Sequence, residues 1–252
     1  NHDVGSYYVY DWNVWPLLKL MVNAEVASGN FKNNKRYANK IKNIFKSSYQ
    51  IWKMMLLSEN IIQSVQKRPL LEDKHNNREP DQPGTDVIVF TLSQRRQKMG
   101  SVYYEIYSDP LVEALSNRGA STLVWERGNE RGPRHSPSSW ITRRLAMELA
   151  GSRFPQRHPQ PPWFKDYAVL FNTITGRNIH WSEVSFRINS VQKNSLIFEG
   201  WIKNSGATAL ISVCWYDRLV MAATLAAKRL GVLTADLQHG FQGADHYAYS
   251  GF

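Results

Sequence analysis

Two strand-length segments joined by one alanine-rich helical segment constrain the fold of this chain most strongly. The first, Ala207 to Trp215, is largely apolar, and the second, Val232 to Leu237, follows a segment with the composition of a helix, Arg218 to Leu230. A strand, a helix and a second strand in this order form a right-handed crossover between parallel strands. The pattern therefore predicts an α/β fold in which residue 237 lies at the carboxyl end of a parallel strand.

Segments upstream extend the same prediction. Asp86 to Leu92 is a continuous apolar run, typical of a strand that is covered on both faces. Asp109 is predicted as the N-cap of a helix that Gly119 closes, and Ser121 to Trp125 is predicted as the next strand. Further helices are predicted at Ser139 to Ala150, Trp163 to Thr173 and Ser182 to Lys203. Together these segments predict a Rossmann-like parallel sheet flanked by helices.

The first part of the chain has a different pattern and predicts a helical extension. Pro16 suits the first turn of a helix and Gly29 suits its end. Ile41 to Leu57 has apolar residues at three-and-four spacing with lysines largely off that stripe, so it predicts a basic amphipathic helix. The polar, proline-containing stretch 71–84 is typical of a linker. We therefore predict a helical extension over 1–70, a linker over 71–84 and a Rossmann-like acceptor-binding domain over 85–252.

Charge and cysteine content narrow the environment and the partners. The net charge of +10 favours anionic partners such as phosphorylated small molecules, nucleic acid or an anionic membrane surface. Cys214 is the only cysteine, which excludes an intramolecular disulfide and indicates a cytoplasmic location; the residue itself is predicted to be a small core side chain. No apolar run reaches the roughly 20 residues of a membrane-spanning helix. The basic amphipathic helix leaves peripheral contact with the inner face of the membrane open.

The polar segment after the last predicted strand is the strongest candidate for a site. Ligands in open α/β sheets bind outside the carboxyl ends of the strands, and Gln238, His239 and Gly240 follow such an end. A histidine, with its ordinary pKa of about 6.5, suits a general base. Asp245 suits orienting a histidine or accepting a hydrogen bond from a substrate hydroxyl, and His246 suits contact with a phosphate or a sugar. The alternative is that His239 only holds its loop. The spacing matches no zinc motif, so no metal is predicted.

A second candidate is the basic stretch Ser93 to Gly100, predicted as a loop after the first buried strand. Arg95 and Arg96 carry guanidinium forks that suit a phosphate or an acidic sugar. The alternative is a solvated basic loop without a ligand. The chain has no Gly-x-Gly-x-x-Gly sequence and no P-loop sequence, so a permanently bound nucleotide cofactor is not predicted.

The run Ala235 to Tyr249 resembles the end of the N-terminal half of bacterial GT-B glycosyltransferases that build capsular and other surface polysaccharides. The likeness extends to other segments, namely Trp15 to Lys19, Asp86 to Leu92 with Arg95 and Arg96, Tyr107 to Leu111 and Val213 to Leu230. The resemblance implies two Rossmann-like domains, of which the N-terminal one binds the acceptor and the C-terminal one binds the sugar nucleotide. It also implies a reaction without a metal, in which His239 deprotonates the acceptor hydroxyl.

From this resemblance we expect a glycan or a lipid-linked glycan as acceptor and a sugar nucleotide as donor substrate. Because the chain begins at Asn1 and stops at Phe252, we expect it to be a fragment that lacks the nucleotide-binding domain and is inactive alone. Similarity to wall-teichoic-acid glycerophosphotransferases leaves transfer of a polyol phosphate from a CDP-glycerol-type donor as an alternative. A nucleic-acid or regulatory binding module is a third hypothesis, motivated by the charge and nine tryptophans, but no zinc finger or RNP sequence supports it.

Overall fold

A computed structural model describes residues 7–27, 79–128, 134–136, 138–151 and 158–237. Their elements, in chain order, are β1 (Tyr8–Val9), β2 (Trp12–Asn13), α1 (Trp15–Ala27), β3 (Val87–Leu92), β4 (Arg96–Met99), β5 (Val102–Glu105), α2 (Ser108–Ser116), β6 (Thr122–Arg127), β7 (Ser138–Trp140), α3 (Ile141–Gly151), α4 (Phe164–Thr175), α5 (Trp181–Ser205), β8 (Ala209–Ser212), α6 (Arg218–Arg229) and β9 (Leu233–Asp236). The described residues form two compact units, 7–27 with 158–190 and 79–151 with 191–237, and the division falls within α5.

The second unit is built on a five-stranded sheet with the order β7-β6-β3-β8-β9. All its pairings are parallel, and Val87 lies opposite Thr122 on one side and Ala209 on the other. Helices flank the sheet, so the predicted α/β class is confirmed, and the strand order is compatible with a Rossmann-like fold. The chain runs outward from β3 through β6 to β7 and then returns to β8. The order therefore reverses between β3 and β8, which is the position where open α/β sheets bind ligands.

The central strand is buried because both of its faces carry apolar side chains. Ile88, Val89 and Phe90 are fully buried, as expected for a strand covered on both sides. On one face Trp125 of β6 stacks on Phe198 of α5, with ring centroids 5.2 Å apart. Burying an aromatic side chain of this size contributes about 1.5–3 kcal/mol, so these contacts fix the sheet against its helix.

The predicted strand-helix-strand crossover is confirmed. β8 and β9 are parallel, and α6 connects them. The carboxylate of Asp217 accepts the backbone N–H of Leu219 at 2.9 Å, so Asp217 is the N-cap that its position before the helix indicates. The helix buries a face of alanines, including Ala222 and Ala226. The chain reaches the carboxyl edge of the sheet at Asp236, as predicted.

The stretch predicted as a basic loop, Ser93 to Gly100, has regular structure instead. Ser93–Arg95 forms one 3-10 turn, and the residues after it form β4, which pairs with β5 in an antiparallel hairpin. The hairpin turns at Gly100, whose φ of +61° is a conformation that glycine adopts readily. The loop prediction was wrong because the charged residues of β4 conceal a strand that is stabilised by the aromatic residues of its partner.

The predicted helix cap at Asp109 was also wrong. α2 begins at Ser108, two residues before Pro110, and Oδ2 of Asp109 accepts the backbone N–H of Glu105 at 2.6 Å. The carboxylate of Glu105 in turn accepts the N–H groups of Tyr107, at 3.1 Å, and Ser108. An acidic side chain therefore does accept the free backbone N–H groups at the start of α2. It is Glu105, from the end of β5, and not the residue before Pro110.

The first unit consists of the β1–β2 pair, α1, α4 and the first part of α5. The helix predicted to begin near Pro16 is confirmed, and the side chain of Asn13 accepts the N–H of Trp15 at its start, at 2.9 Å. The hydroxyl of Tyr167 in α4 donates to the carbonyl of Leu18 at 3.1 Å, which ties α4 to α1. Arg177 bridges Glu25 and a carboxylate of α5.

Two predicted N-terminal segments fall largely outside the described residues. The basic amphipathic helix at 41–57 and linker residues 71–78 are not among them. Linker residues 79–84 are described, and Trp125 Nε1 of the central sheet donates to the carbonyl of Pro80 at 2.8 Å. In the part of the chain that the structure describes, no helix combines the length and apolarity needed to cross a membrane.

Candidate functional site

Most of the predicted site residues lie beyond the described part of the chain, which ends at Leu237. These are Gln238, His239, Gly240, Asp245 and His246, and their roles remain predictions. The structure does describe the strand that leads to them. The N–H of Leu237 donates to the carbonyl of Ser212 at 2.7 Å, so the pairing of β9 with β8 continues to the carboxyl edge of the sheet. The Gln-His-Gly sequence therefore starts one residue after a described position on that edge.

A carboxylate at the end of β9 organises the loop that follows β8. Oδ1 of Asp236 accepts the Ser212 hydroxyl at 2.7 Å and the N–H groups of Cys214 and Trp215 at 3.2 and 3.1 Å. Cys214 has a φ of +107°, which is rare for a residue other than glycine. The carboxylate thus holds a tightly turned loop beside the point where the strand order reverses.

Arg95 reaches the same point from the end of β3. Its Nη1 lies 3.5 Å from the carbonyl of Val213, and its guanidinium lies 5.5 Å from the centre of the Tyr107 ring. The side chain is half-buried, and no carboxylate among the described residues pairs with it. Arg95 therefore lies where the predicted substrate contact requires it, and the contact itself remains a prediction.

Arg127 at the end of β6 adds a second cation, one that was not among the residues predicted for the site. It forms an ion pair with Asp217, the N-cap of α6, and because β6 and β8 lie on opposite sides of β3 this pair spans the end of the central strand. Burial, together with the nearby charge of Arg218, lowers the pKa of Arg127 to about 10. The guanidinium remains charged at neutral pH. A basic residue at a strand end directly before a glycine was the signal that could have found it.

The loops after β3 and β6 approach each other very closely. Gly128 has a φ of +127°, and a methyl group added to it would clash with the hydroxyl of Ser93. The N–H of Gly128 donates to Thr142 Oγ1 at 3.3 Å, and its carbonyl accepts from Trp140 Nε1. We use the name switch-point crevice for the region formed by Ser93, Arg95, Arg127, Gly128, Cys214 and Asp217. Only a residue without a side chain fits at the position of Gly128.

Cys214 lies in this crevice as a buried thiol. Burial raises its pKa to about 11, although a hydrogen bond with Tyr216 and the charges of Arg95 and Arg127 act in the opposite direction. The thiol is therefore protonated at neutral pH and is a poor nucleophile. This environment agrees with the prediction that Cys214 is a small core side chain.

Arg96, the other arginine predicted to contact substrate, points into the protein. Its side chain is 1% exposed, and its Nε donates to Glu126 at 2.6 Å while its Nη1 lies 3.4 Å from Asp109. Nη1 also donates to the carbonyl of Tyr103 at 3.0 Å, and Arg134 approaches the same Glu126 carboxylate at 3.3 Å. We call Arg96, Asp109, Glu126 and Arg134 the hairpin anchor. It holds the β4–β5 hairpin on the sheet and keeps the Arg96 guanidinium away from solvent.

Comparison of the chain with models of protein families, with curated proteins and with solved structures gave no match. The comparisons therefore assign the chain to no family. Among the described residues, no group of three or more histidine, cysteine, aspartate or glutamate side chains is arranged to hold a metal ion.

Proposed function

We propose that this chain is the acceptor-binding part of a cytoplasmic GT-B glycosyltransferase that transfers a sugar from a sugar nucleotide to a polysaccharide or lipid-linked glycan. The observation that supports it most is the parallel sheet whose strand order reverses between β3 and β8. Its carboxyl edge carries Arg95 and leads, after Leu237, into the Gln-His-Gly sequence. The parallel fold, the carboxyl edge and the Gln-His-Gly sequence together support the proposal, because ligands of open α/β sheets bind at this edge.

In this proposal His239 acts as the general base. The neutral imidazole takes the proton of an acceptor hydroxyl while the hydroxyl oxygen forms a bond to the anomeric carbon of the donor sugar. The bond from that carbon to the nucleotide phosphate breaks, and the nucleotide diphosphate leaves with the electron pair. Attack from the opposite side inverts the anomeric centre. Gln238, Gly240, Asp245 and His246 contact the acceptor, and the nucleotide is bound by a second domain of the full-length protein.

Replacing His239 by alanine tests this role. In the full-length protein we expect His239→Ala to reduce sugar transfer by about 10²- to 10⁴-fold, because a positioned general base contributes that much to a rate. The measurement is release of nucleotide diphosphate from a panel of sugar nucleotides in the presence of a glycan acceptor. His180→Ala is the matched control, since His180 is an exposed histidine. Turnover of His239→Ala near that of the control would exclude the assigned role.

Transfer of a polyol phosphate is the second candidate, and the cations of the switch-point crevice favour it, because Arg95 and Arg127 suit a phosphate. The donor distinguishes the two reactions. Consumption of CDP-glycerol without consumption of any sugar nucleotide would replace the first proposal by the second. Tight DNA or RNA binding that falls steeply with salt, together with no turnover of either donor, would instead favour a nucleic-acid binding module.

A further inference from the structure

We propose that Asp236, the last residue of β9, is a positioning residue for the general base, because its carboxylate holds the loop after β8 beside the backbone that leads to His239. This role rests on the proposed function only in that His239 is taken as the base. Asp236 touches no substrate. Its carboxylate acts by fixing the end of the strand from which the Gln-His-Gly sequence starts.

One oxygen of Asp236 accepts three hydrogen bonds from β8 and the loop that follows it. This Oδ1 accepts the hydroxyl of Ser212 at 2.7 Å and the N–H groups of Cys214 and Trp215 at 3.2 and 3.1 Å. Hydrogen bonds to an ionised acceptor are stronger than bonds between neutral groups. Two of the three donors are consecutive backbone N–H groups, so the carboxylate restrains the path of the loop itself.

The backbone of Cys214 has a conformation that needs such a restraint. Its φ of +107° is rare for a residue with a side chain, and a strained conformation of this kind persists only where surrounding contacts hold it. The N–H of Cys214 donates to Asp236, and its carbonyl accepts the N–H of Asp217 at 3.1 Å. Because strained backbone is concentrated at functional sites, this conformation indicates that the end of β8 has a function besides packing.

Ser212 connects the restrained loop with the exit of the chain from β9. Its hydroxyl donates to Asp236, and its carbonyl accepts the N–H of Leu237 at 2.7 Å. β9 is an edge strand, so among the described residues β8 is the only strand that can hold it. Two residues of chain span about 7 Å at most, so His239 follows Leu237 within that distance. Loosening of this anchor displaces the base, and a displacement of about 1 Å can lower a rate about 10²-fold.

Asp86 makes the same kind of contact at the opposite edge of the sheet. Its Oδ2 accepts the N–H of Ser121 at 2.7 Å, and the two residues directly precede β3 and β6. Ligands of open α/β sheets bind at the carboxyl edge, so this restraint at the amino edge is remote from the proposed reaction. Asp86 is therefore a matched control for the loss of a carboxylate that accepts a backbone N–H.

Sugar transfer by the full-length protein tests the role of Asp236. We expect Asp236→Ala to lower kcat about 10²-fold and to leave the KM for the sugar nucleotide unchanged, because the donor is bound by the second domain. Asp86→Ala should keep the kcat of the wild type. Equal kcat values for the two variants, or a loss confined to KM, would overturn the proposal.

Asp236→Asn separates position from charge. The asparagine keeps a side-chain oxygen that can accept the same N–H groups, but it has no charge. We expect it to recover most of the kcat that Asp236→Ala loses and to leave the midpoint of the acidic limb of the pH profile unchanged. A kcat as low as that of Asp236→Ala, or a midpoint lower by about one pH unit or more, would contradict positioning by hydrogen bonds.

Hydrogen exchange distinguishes a failure of this proposal from a failure of the proposed function. The amides of Cys214 and Trp215 donate to Asp236, so we expect them to exchange about ten-fold faster in Asp236→Ala than in Asp86→Ala. Unchanged exchange would show that the carboxylate does not hold the loop and would overturn the proposal. Faster exchange in a protein whose wild type turns over no sugar nucleotide would keep the restraint and refute the glycosyltransferase.

Discussion

Arg95 and Arg96 are neighbours in the sequence but lie in opposite environments. The guanidinium of Arg96 is inside the hairpin anchor, 2.6 Å from Glu126, whereas that of Arg95 lies at the switch-point crevice without a described carboxylate partner. The backbone separates them because Arg95 ends a 3-10 turn and Arg96 begins β4. A pair of adjacent arginines therefore supplies one buried structural cation and one half-buried cation that has no described carboxylate partner.

The difference shows how carboxylates decide the role of an arginine. Glu126 is fully buried, and a buried carboxylate is tolerated only when a positive charge compensates it. Arg96 supplies that positive charge. Among the described residues, Arg95 contacts the Val213 carbonyl and the Tyr107 ring, which orient its guanidinium without neutralising it. The first environment fixes the hairpin, and the second leaves a directed positive charge.

Of the variants that test this comparison, replacement of Arg96 is expected to lower the free energy of unfolding most. Arg96→Met leaves Glu126 and Asp109 buried without their main counter-charge, so we expect the free energy of unfolding to fall by about 3–5 kcal/mol. Arg95→Met, measured by the same urea titration, is expected to lose less than about 1 kcal/mol, the typical size of an exposed cation–π contact. Equal losses in the two variants would show that the two environments do not differ in this way.

Partial rescue sharpens the same test. Arg96→Met combined with Glu126→Gln removes one of the stranded charges, so the double variant should be more stable than Arg96→Met alone. Strict additivity of the two single effects would mean that the Arg96–Glu126 pair is not coupled, contrary to the structure.

The crevice side of the comparison depends on Gly128, which gives the next largest effect. Gly128→Ala combines a left-handed backbone with a clash against Ser93, so we expect a loss of about 1–3 kcal/mol in the urea titration. Gly119→Ala is the control, because Gly119 has a φ of +82° but no atom within 4 Å of the added carbon. Ser93→Gly should rescue part of the Gly128→Ala loss, and a loss no larger than that of the control would contradict the close approach.

Local signals explain which parts of this fold could be predicted. The β8-α6-β9 crossover was predicted closely because apolar runs mark its strands and Asp217 caps its helix within two residues. The β4–β5 hairpin was missed because Arg96 can be buried only through its ion pair with Glu126, which lies 30 residues away in the sequence. A pattern confined to neighbouring residues cannot contain that partner.

The candidate site, too, has one part that could be predicted from the sequence and one part that could not. Its position at the carboxyl edge followed from the strand-helix-strand pattern, and the role of Arg95 there was a prediction from residue type. Arg127 was missed because only the sheet order brings the end of β6 across β3 to Asp217. Side chains that meet through sheet topology leave no signal at fixed spacing in the sequence.

The smallest expected effect concerns the pKa of the Cys214 thiol. The charge of Arg95 lowers this pKa, so the thiol reports how strongly water screens that charge. Burial raises the pKa of this thiol to about 11 from an ordinary value of 9.0, so the folded protein keeps a proton that the unfolded chain loses. The stability contributed by the protonated thiol is complete below about pH 9 and decreases as the pH rises towards 11.

Cys214→Ala removes this dependence. Between pH 9 and 10 we expect the wild type to lose about 1 kcal/mol more of its free energy of unfolding than Cys214→Ala does, because one pKa unit corresponds to about 1.4 kcal/mol. Parallel stability curves for the two proteins would contradict the burial of the thiol.

The pH profile of thiol alkylation then tests the charge of Arg95 itself. Because its charge lowers the thiol pKa, Arg95→Gln should move the profile upward, and only slightly, since a half-buried guanidinium is screened by water.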